Sequence, residues 1–223
     1  MKSHFELQPA EYEQSRQGHL HRRRIALVAQ EVARLAPEAQ VLELGCGSGD
    51  VLAALGQIRP DVRFLGVDLD PEMVDYANAT HARGNVGFDR RDVVTAPPAL
   101  ATNLVFGIDV LHHVRDLVPF AEAVAALLVP SGRWLAIEPN SRNPYIWLHQ
   151  ERMRRAGLDE DHFRPARFES ACRAAGLEVV ERRTAFLVPG AVQRVPRAFA
   201  RAERLLERVP VLGGSDVYVV GRA

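Results

Sequence analysis

The 223-residue chain reads as an α/β domain built on a mostly parallel β-sheet with helices packed on both faces. Three observations predict this. Short apolar runs alternate with helix-spaced segments through the first 140 residues, a glycine-rich turn follows the first of these runs, and 47% of the residues are hydrophobic. A chain of this size and composition buries a full core without disulfides or metals.

Residues 20–36 carry apolar side chains at Leu20, Ile25, Val28, Val32 and Leu35, a helical spacing with arginines on the opposite face, closed by Pro37. VLELG at 41–45 is an apolar run that breaks at glycine, a buried strand feeding a turn and then a helix over 50–58. The alternation continues with a strand at 63–69, a helix at 71–82 with proline in its first turn, and a strand at 86–92. A loop at 96–101 leads to a strand at 103–109, a helix at 116–129 and a strand at 133–139. Strands apolar through their centres and separated by helices belong to a parallel sheet covered on both sides.

The last third changes rhythm: helices at 143–156 and 165–175, a strand at 177–187, an arginine-rich helix at 193–208 and a final strand at 216–220. A strand reached in this way can insert antiparallel. With no internal repeat, low-complexity tract or linker, the whole of 1–223 is expected to form one domain with an N-terminal helical segment at 1–37.

Composition excludes several functions. Basic and acidic residues balance at 28 each, so no global field recruits nucleic acid or an anionic surface, and a small or neutral partner is expected. Lys2 is the only lysine, which removes Schiff-base, phosphate-loop and Tyr-Lys dehydrogenase chemistry. Cys46 and Cys172 fit neither a CxxC motif nor a disulfide framework, and no metal-ligand spacing emerges from His149, His162 and Glu138. The polar N-terminal stretch and the lack of any run near ~18 apolar residues point to a cytoplasmic protein without a membrane span. The arginine clusters 22–24, 152–155 and 194–208 read as solvated helix faces, since Glu151, Glu203 and Glu207 are interleaved among them.

Four motifs carry chemistry. VLELGCGSGD sets glycines at 45, 47 and 49, a GxGxG spacing distinct from the GxGxxG of dinucleotide binders. Its turn admits close approach of a ligand, and the amides opening the next helix favour an anion, carboxylate or phosphate. Asp68 in GVDLD ends the second strand about 20 residues on, where a carboxylate accepts from ribose hydroxyls. Asp92 in RRDVV ends the third strand, within reach of an adenine amino group if a nucleoside binds, whereas Asp70 before Pro71 is placed to cap a helix. His112 and His113 in GIDVLHHV follow the fourth strand beside the point where ligands of open α/β sheets bind. Either histidine is a candidate base for a hydroxyl, phenol or amine, or else an ordinary loop residue. Glu138 can face a substrate or pair with a buried arginine.

Taken in order, VLELGCGSGD, GVDLD, RRDVV, VFGIDVLHHV and LVPSGRWLAIEPN resemble the sequential motifs of class I S-adenosylmethionine (SAM) dependent methyltransferases, nearest the ubiquinone/menaquinone-biosynthesis-like group. The likeness is strong over 20–139, thins beyond, and returns in SDVYVVGRA. It implies a Rossmann-like, doubly wound seven-stranded sheet of order 3-2-1-4-5-7-6 with an antiparallel last strand. It further implies that Glu43 reaches the methionine amino group through water, that Gly45, Cys46 and Gly47, with Gly49 closing the motif, line the methionine moiety, and that Asp68 holds the ribose. Leu69 and Met73 would pack on the adenine with Asp92 and Val93 at its edge, and Ile108 would offer a carbonyl near the sulfonium. Asn103 stands where the family often has aspartate, at the strand end facing away from the cofactor. The reaction implied is methyl transfer from SAM to an O, N or C nucleophile of a small organic acceptor, releasing S-adenosylhomocysteine. Residues 140–165 and 189–210, rich in Tyr145, Ile146, Trp147, Phe163, Phe186 and Phe199 with their neighbours, are expected to cover the acceptor. The competing readings are an RNA or protein methyltransferase, a nicotinamide dehydrogenase, and a non-catalytic SAM-binding partner subunit.

Overall fold

The computed structural model describes residues 7–158, 161–190 and 192–223. Seven strands form one sheet in the order β3-β2-β1-β4-β5-β7-β6. The strands are β1 (Gln40–Leu44), β2 (Arg63–Asp68), β3 (Val86–Arg90), β4 (Thr102–Ile108), β5 (Leu128–Pro139), β6 (Leu177–Ala185) and β7 (Ser215–Arg222). β1 to β5 pair in parallel, and β7 runs antiparallel between β5 and β6, as expected from the sequence.

Alternation of side chains along the strands divides the core in two. Leu104 and Phe106 join Val28 of α2 (His19–Val32), Leu52 and Leu55 of α3 (Asp50–Ile58) and Ala77 of α4 (Pro71–His81) on one face. Val105 and Trp134 join Phe120 and Val124 of α5 (Leu117–Leu127) and Phe168 of α7 (Pro165–Ala174) on the other. Strand order reverses between β1 and β4, so the connections leaving their carboxyl ends diverge and open a crevice.

Several boundaries differ from the sequence reading for identifiable reasons. The N-terminal segment holds two helices, α1 (Pro9–Arg16) and α2, separated by Gly18. α2 stops at Val32 because Arg59 donates from Nη1 to the Val32 carbonyl at 2.8 Å and from Nη2 to that of Leu35 at 3.1 Å, satisfying the terminal acceptors. The helix α8 spans Arg197–Leu206, shorter than 193–208; it starts after Pro196, the extended N-cap residue, since proline disfavours helix in the residue before it. β5 begins earlier, at Leu128, with an irregularity opposite Thr102 and Leu104. Asn103 accepts from the Gln40 N–H at 2.9 Å, pinning β4 to β1 at the end opposite the crevice.

Gly49 opens α3 at φ +83°, and a Cβ there would sit 2.6 Å from the Phe88 ring and 2.9 Å from the Ala77 Cβ. Gly49→Ala is therefore expected to lower the unfolding free energy by about 2 kcal/mol or more, combining left-handed strain with overpacking. Equilibrium denaturation checks this, and a loss under about 0.5 kcal/mol, the range of surface substitutions, would show that the packing yields.

Candidate functional site

The turn after β1 is shaped by its glycines and by one carboxylate. Gly45 lies at φ +65° and Gly47 at φ +51°; a Cβ on Gly45 would meet Val110 at 2.7 Å, and one on Gly47 the Tyr12 ring at 3.3 Å. The Cys46 N–H donates to the Val67 carbonyl at 3.1 Å, and the Gly47 N–H donates to Asp68 Oδ2 at 2.8 Å. Asp68 Oδ1 accepts from the Asp70 N–H at 3.0 Å, while Asp70 itself caps α4 through the Glu72 and Met73 amides.

Around this turn lies a cavity of about 1250 Å³. That exceeds the roughly 300–1,000 Å³ typical of a single-ligand pocket and leaves room for two. Gly45, Gly47, Asp68, Leu69, Met73, Asp92, Val93, Ile108, His112 and His113 all line it. Asp92 also accepts from the Val94 N–H at 2.9 Å. Three residues grouped with them in the sequence lie outside the lining. Gly49 faces Phe88 and Ala77, and the Cys46 side chain turns into the core beside Gly66, where burial pushes its thiol far up. Glu43 lies behind the turn, fully enclosed, with Oε2 lacking a hydrogen-bond partner among the described residues.

Glu138 takes neither role considered for it. Among the described residues it pairs with no arginine, and it does not line the cavity: its Oε1 accepts from the Val110 and Leu111 amides at 2.9 and 2.8 Å, and its Oε2 from the His112 amide at 3.2 Å. Oε2 also lies 2.8 Å from His112 Nδ1. A carboxylate ringed by N–H donors accepts, so Nδ1 carries a hydrogen directed at Glu138 and the ring is oriented by it. The backbone turn that presents His112 is thus tied to the end of β5. His149 stacks on Tyr145 and His162 on Trp147, and no group of residues suited to a metal occurs among the described residues.

The sequence reading missed the polar residues that the N-terminal helices bring in. Tyr12 and Arg16 of α1, hydrogen-bonded to each other, lie over the glycine turn, and Arg24 of α2 pairs with Asp109 at 2.7 Å. Arg24 is 9% exposed, so the 22–24 cluster is not a solvated face: Arg24 enters the cavity, while Arg23 binds Glu207 and Glu203. The proline at the start of PAEYEQSR and the i, i+4 spacing of Tyr12 and Arg16 are the sequence signals for α1. Asp109 sits at φ +59°, a left-handed conformation uncommon for aspartate, right where β4 hands over to the His112 turn. Burial opposes its ionisation, but Arg24 and Arg16 outweigh that and hold its carboxyl below the usual range.

These residues fit a ligand with an amino-acid end and a ribose end. Gly45 and Gly47 leave a cradle that side chains would fill, Asp68 stands at its rim, Glu43 keeps an unpartnered buried oxygen behind it, and Arg16 and Arg24 supply cations for a carboxylate.

Burial first, then the neighbouring Asp50, pushes the Glu43 carboxyl well above its ordinary value. The folded chain thus retains a proton that the unfolded chain releases near pH ~4.3, so this contribution is complete below that pH and fades as pH rises through the folded value. Glu43→Gln is expected to gain stability relative to the parent as pH is raised from acid to neutral, measured by urea denaturation across that range. A pH-independent difference would contradict the assignment.

A family model described as "Methyltransferase domain" matches residues 17–182. A trans-aconitate 2-methyltransferase of Methylobacterium radiotolerans is 32% identical over 108 residues, 48% of this chain and 39% of that protein. A ubiquinone biosynthesis O-methyltransferase of Bordetella avium is 28% identical over 162 residues, 67% of this chain and 66% of that protein. The chain thus spans less than two thirds of the length of these relatives. The fold matches geranyl diphosphate C-methyltransferase of Streptomyces coelicolor A3(2), solved with S-adenosyl-L-homocysteine, at TM-score 0.68 and 16% identity over 92% of this chain and 80% of that one. It also matches the putative methyltransferase complexed with the Haloferax volcanii Trm112 activator, at TM-score 0.65 and 24% identity over 89% and 88%. With the cradle, the rim carboxylate and the strand order in agreement, the chain belongs to the methyltransferase-domain family, with the class I SAM-dependent fold.

Proposed function

We propose that the protein transfers the methyl group of SAM to an O, N or C nucleophile of a small organic acceptor, in the cytoplasm. The observation that carries this reading is the bond from the Gly47 amide to Asp68, which sets a carboxylate on the rim of a glycine cradle inside a cavity large enough for two ligands. No helix among the described residues is long and apolar enough to cross a membrane.

SAM, when bound, supplies a methyl group on a sulfonium, and its loss leaves a neutral thioether. Asp68 holds the ribose hydroxyls, Leu69, Met73 and Val93 flank the adenine with Asp92 at its edge, and Arg16 and Arg24 face the amino-acid carboxylate. The far wall, from Tyr145 and Ile146 through Phe186, Leu187 and Val188 to Val211 and Leu212, is apolar and suits an organic acceptor. Of the two segments expected to cover the acceptor, 140–165 brings Asn143 to Ile146, His149 and Gln150 to the wall. Among the described residues 189–210 brings only Pro189 and Gly190, and α8 lies away from it, with residues 159, 160 and 191 outside the described chain. His112, oriented by Glu138, accepts the proton of an attacking O–H or N–H group, with His113 beside it at 4.0 Å between ring centroids. Orienting the acceptor against the methyl group supplies a larger share, up to roughly 7–11 kcal/mol.

Calorimetric titration with S-adenosylhomocysteine tests the cofactor half. The parent protein binds, and Asp68→Ala weakens binding by at least ~10-fold, the loss of hydrogen bonds to a charged group. No binding by the parent would overturn the proposal. Once an acceptor is found by methyl-transfer screening, His112→Ala is expected to lower kcat by about 10²-fold or more with S-adenosylhomocysteine affinity unchanged. A kcat within a few-fold of the parent would remove the base role.

A further inference from the structure

α8 and the residues that follow it are inverted with respect to a soluble helix. Glu203 and Glu207 are 1% and 8% exposed, whereas Leu205 is 67% exposed, Val211 50%, Val209 42%, Phe199 and Leu206 41%, and Leu212 37%. The inversion has a cause. Arg23 of α2 reaches Glu203 at 3.0 Å and Glu207 at 2.8 Å, His19 pairs with Glu203 at 2.8 Å, and Glu207 also accepts the Phe186 amide at 3.0 Å. The acid within α8, Glu203, and the one capping its end, Glu207, are therefore both neutralised from within.

The outward side is left with apolar and cationic groups. At 3.6 residues per turn, Ala202, Leu205 and Leu206 share one arc of α8 and Arg201 and Arg204 the adjoining one, with exposed Arg208 and Val209 in the turn that follows. A helix with an apolar arc bordered by arginines is built to lie in the plane of an anionic lipid surface, its arginines reaching the phosphates while the leucines enter the acyl boundary. Pairing with a second copy about a two-fold axis would bring like charges together. The surface continues to the cavity mouth, where Leu212 and Tyr145 both line the opening and Asn143 donates to the Leu212 carbonyl at 2.9 Å.

We propose that α8 and the 209–212 segment dock on the surface of an anionic lipid bilayer, with the cavity mouth at the lipid boundary. Docking needs neither methyl donor nor acceptor, so its outcome is independent of the reaction proposed above. The test is co-sedimentation of the full chain with vesicles of equimolar phosphatidylglycerol and phosphatidylcholine, against phosphatidylcholine alone. The parent is expected to bind the anionic vesicles at least ~10-fold more strongly, with the difference shrinking as salt is added. Leu205→Glu and the combined Arg201→Glu and Arg204→Glu should each abolish sedimentation while thermal midpoint and S-adenosylhomocysteine binding are kept. Failure of the parent to sediment, equal binding to both vesicle types, or full binding by the variants would overturn the proposal. So would a parent dimer that Leu205→Glu converts to monomer, which would assign the face to a second copy.

Discussion

The Asp68 carboxylate ties together the carboxyl ends of two strands that already pair through their backbones and pack through Val41 with Phe64 and Leu44 with Val67. One oxygen accepts from the turn leaving β1 and the other from the loop leaving β2, so the two carboxyl ends cannot drift apart. That separation sets the cradle, in which Gly45 and Gly47 take left-handed conformations and the turn is anchored by the Gly47 amide on Asp68 and the Cys46 amide on the Val67 carbonyl. α1 then seats Tyr12 against the turn, and α2 sets Arg24 beside Asp109 across the crevice.

A second carboxylate performs the equivalent task on the far side of the crevice. Glu138 gathers the three successive amides after Asp109, which would otherwise be orphaned donors at a sharp backbone reversal, and uses the same oxygens to set the His112 ring. The two sides differ in charge logic. Asp109 is held ionised by arginines and contributes stability above its unfolded value that is lost as pH falls, whereas Glu43, enclosed without a cation in direct contact, behaves in the opposite sense.

Much of this was legible in the sequence because it depends on local chemistry. The glycine spacing, the aspartates at strand ends and the histidines after β4 are residues whose type and position follow from the turn each must form, and the cavity gathers Asp68, Asp92, His112 and His113 together. What escaped depends on distant pairing. Nothing near Arg24 in the chain points to Asp109, 85 positions away, and nothing near Glu203 points to Arg23 or His19. An interleaved pattern of arginine and glutamate looks solvated until the partner helix is known, and at α8 that partner inverts which side chains meet water. Glu138 escaped for a related reason: its partners are backbone amides, which carry no sequence signature.

The reversed direction of β7 has an architectural effect. Ser215 pairs with both Pro139 and Ala185, so the chain leaving β6 must cross the same edge of the sheet where β1 and β4 diverge before it can enter β7. A parallel strand at that position would have sent the crossover to the opposite edge to start. The turn between β6 and β7 is therefore free to grow or be recomposed without disturbing any right-handed crossover of the first five strands, and an evolving lineage can exchange one half of the crevice wall while inheriting the other intact.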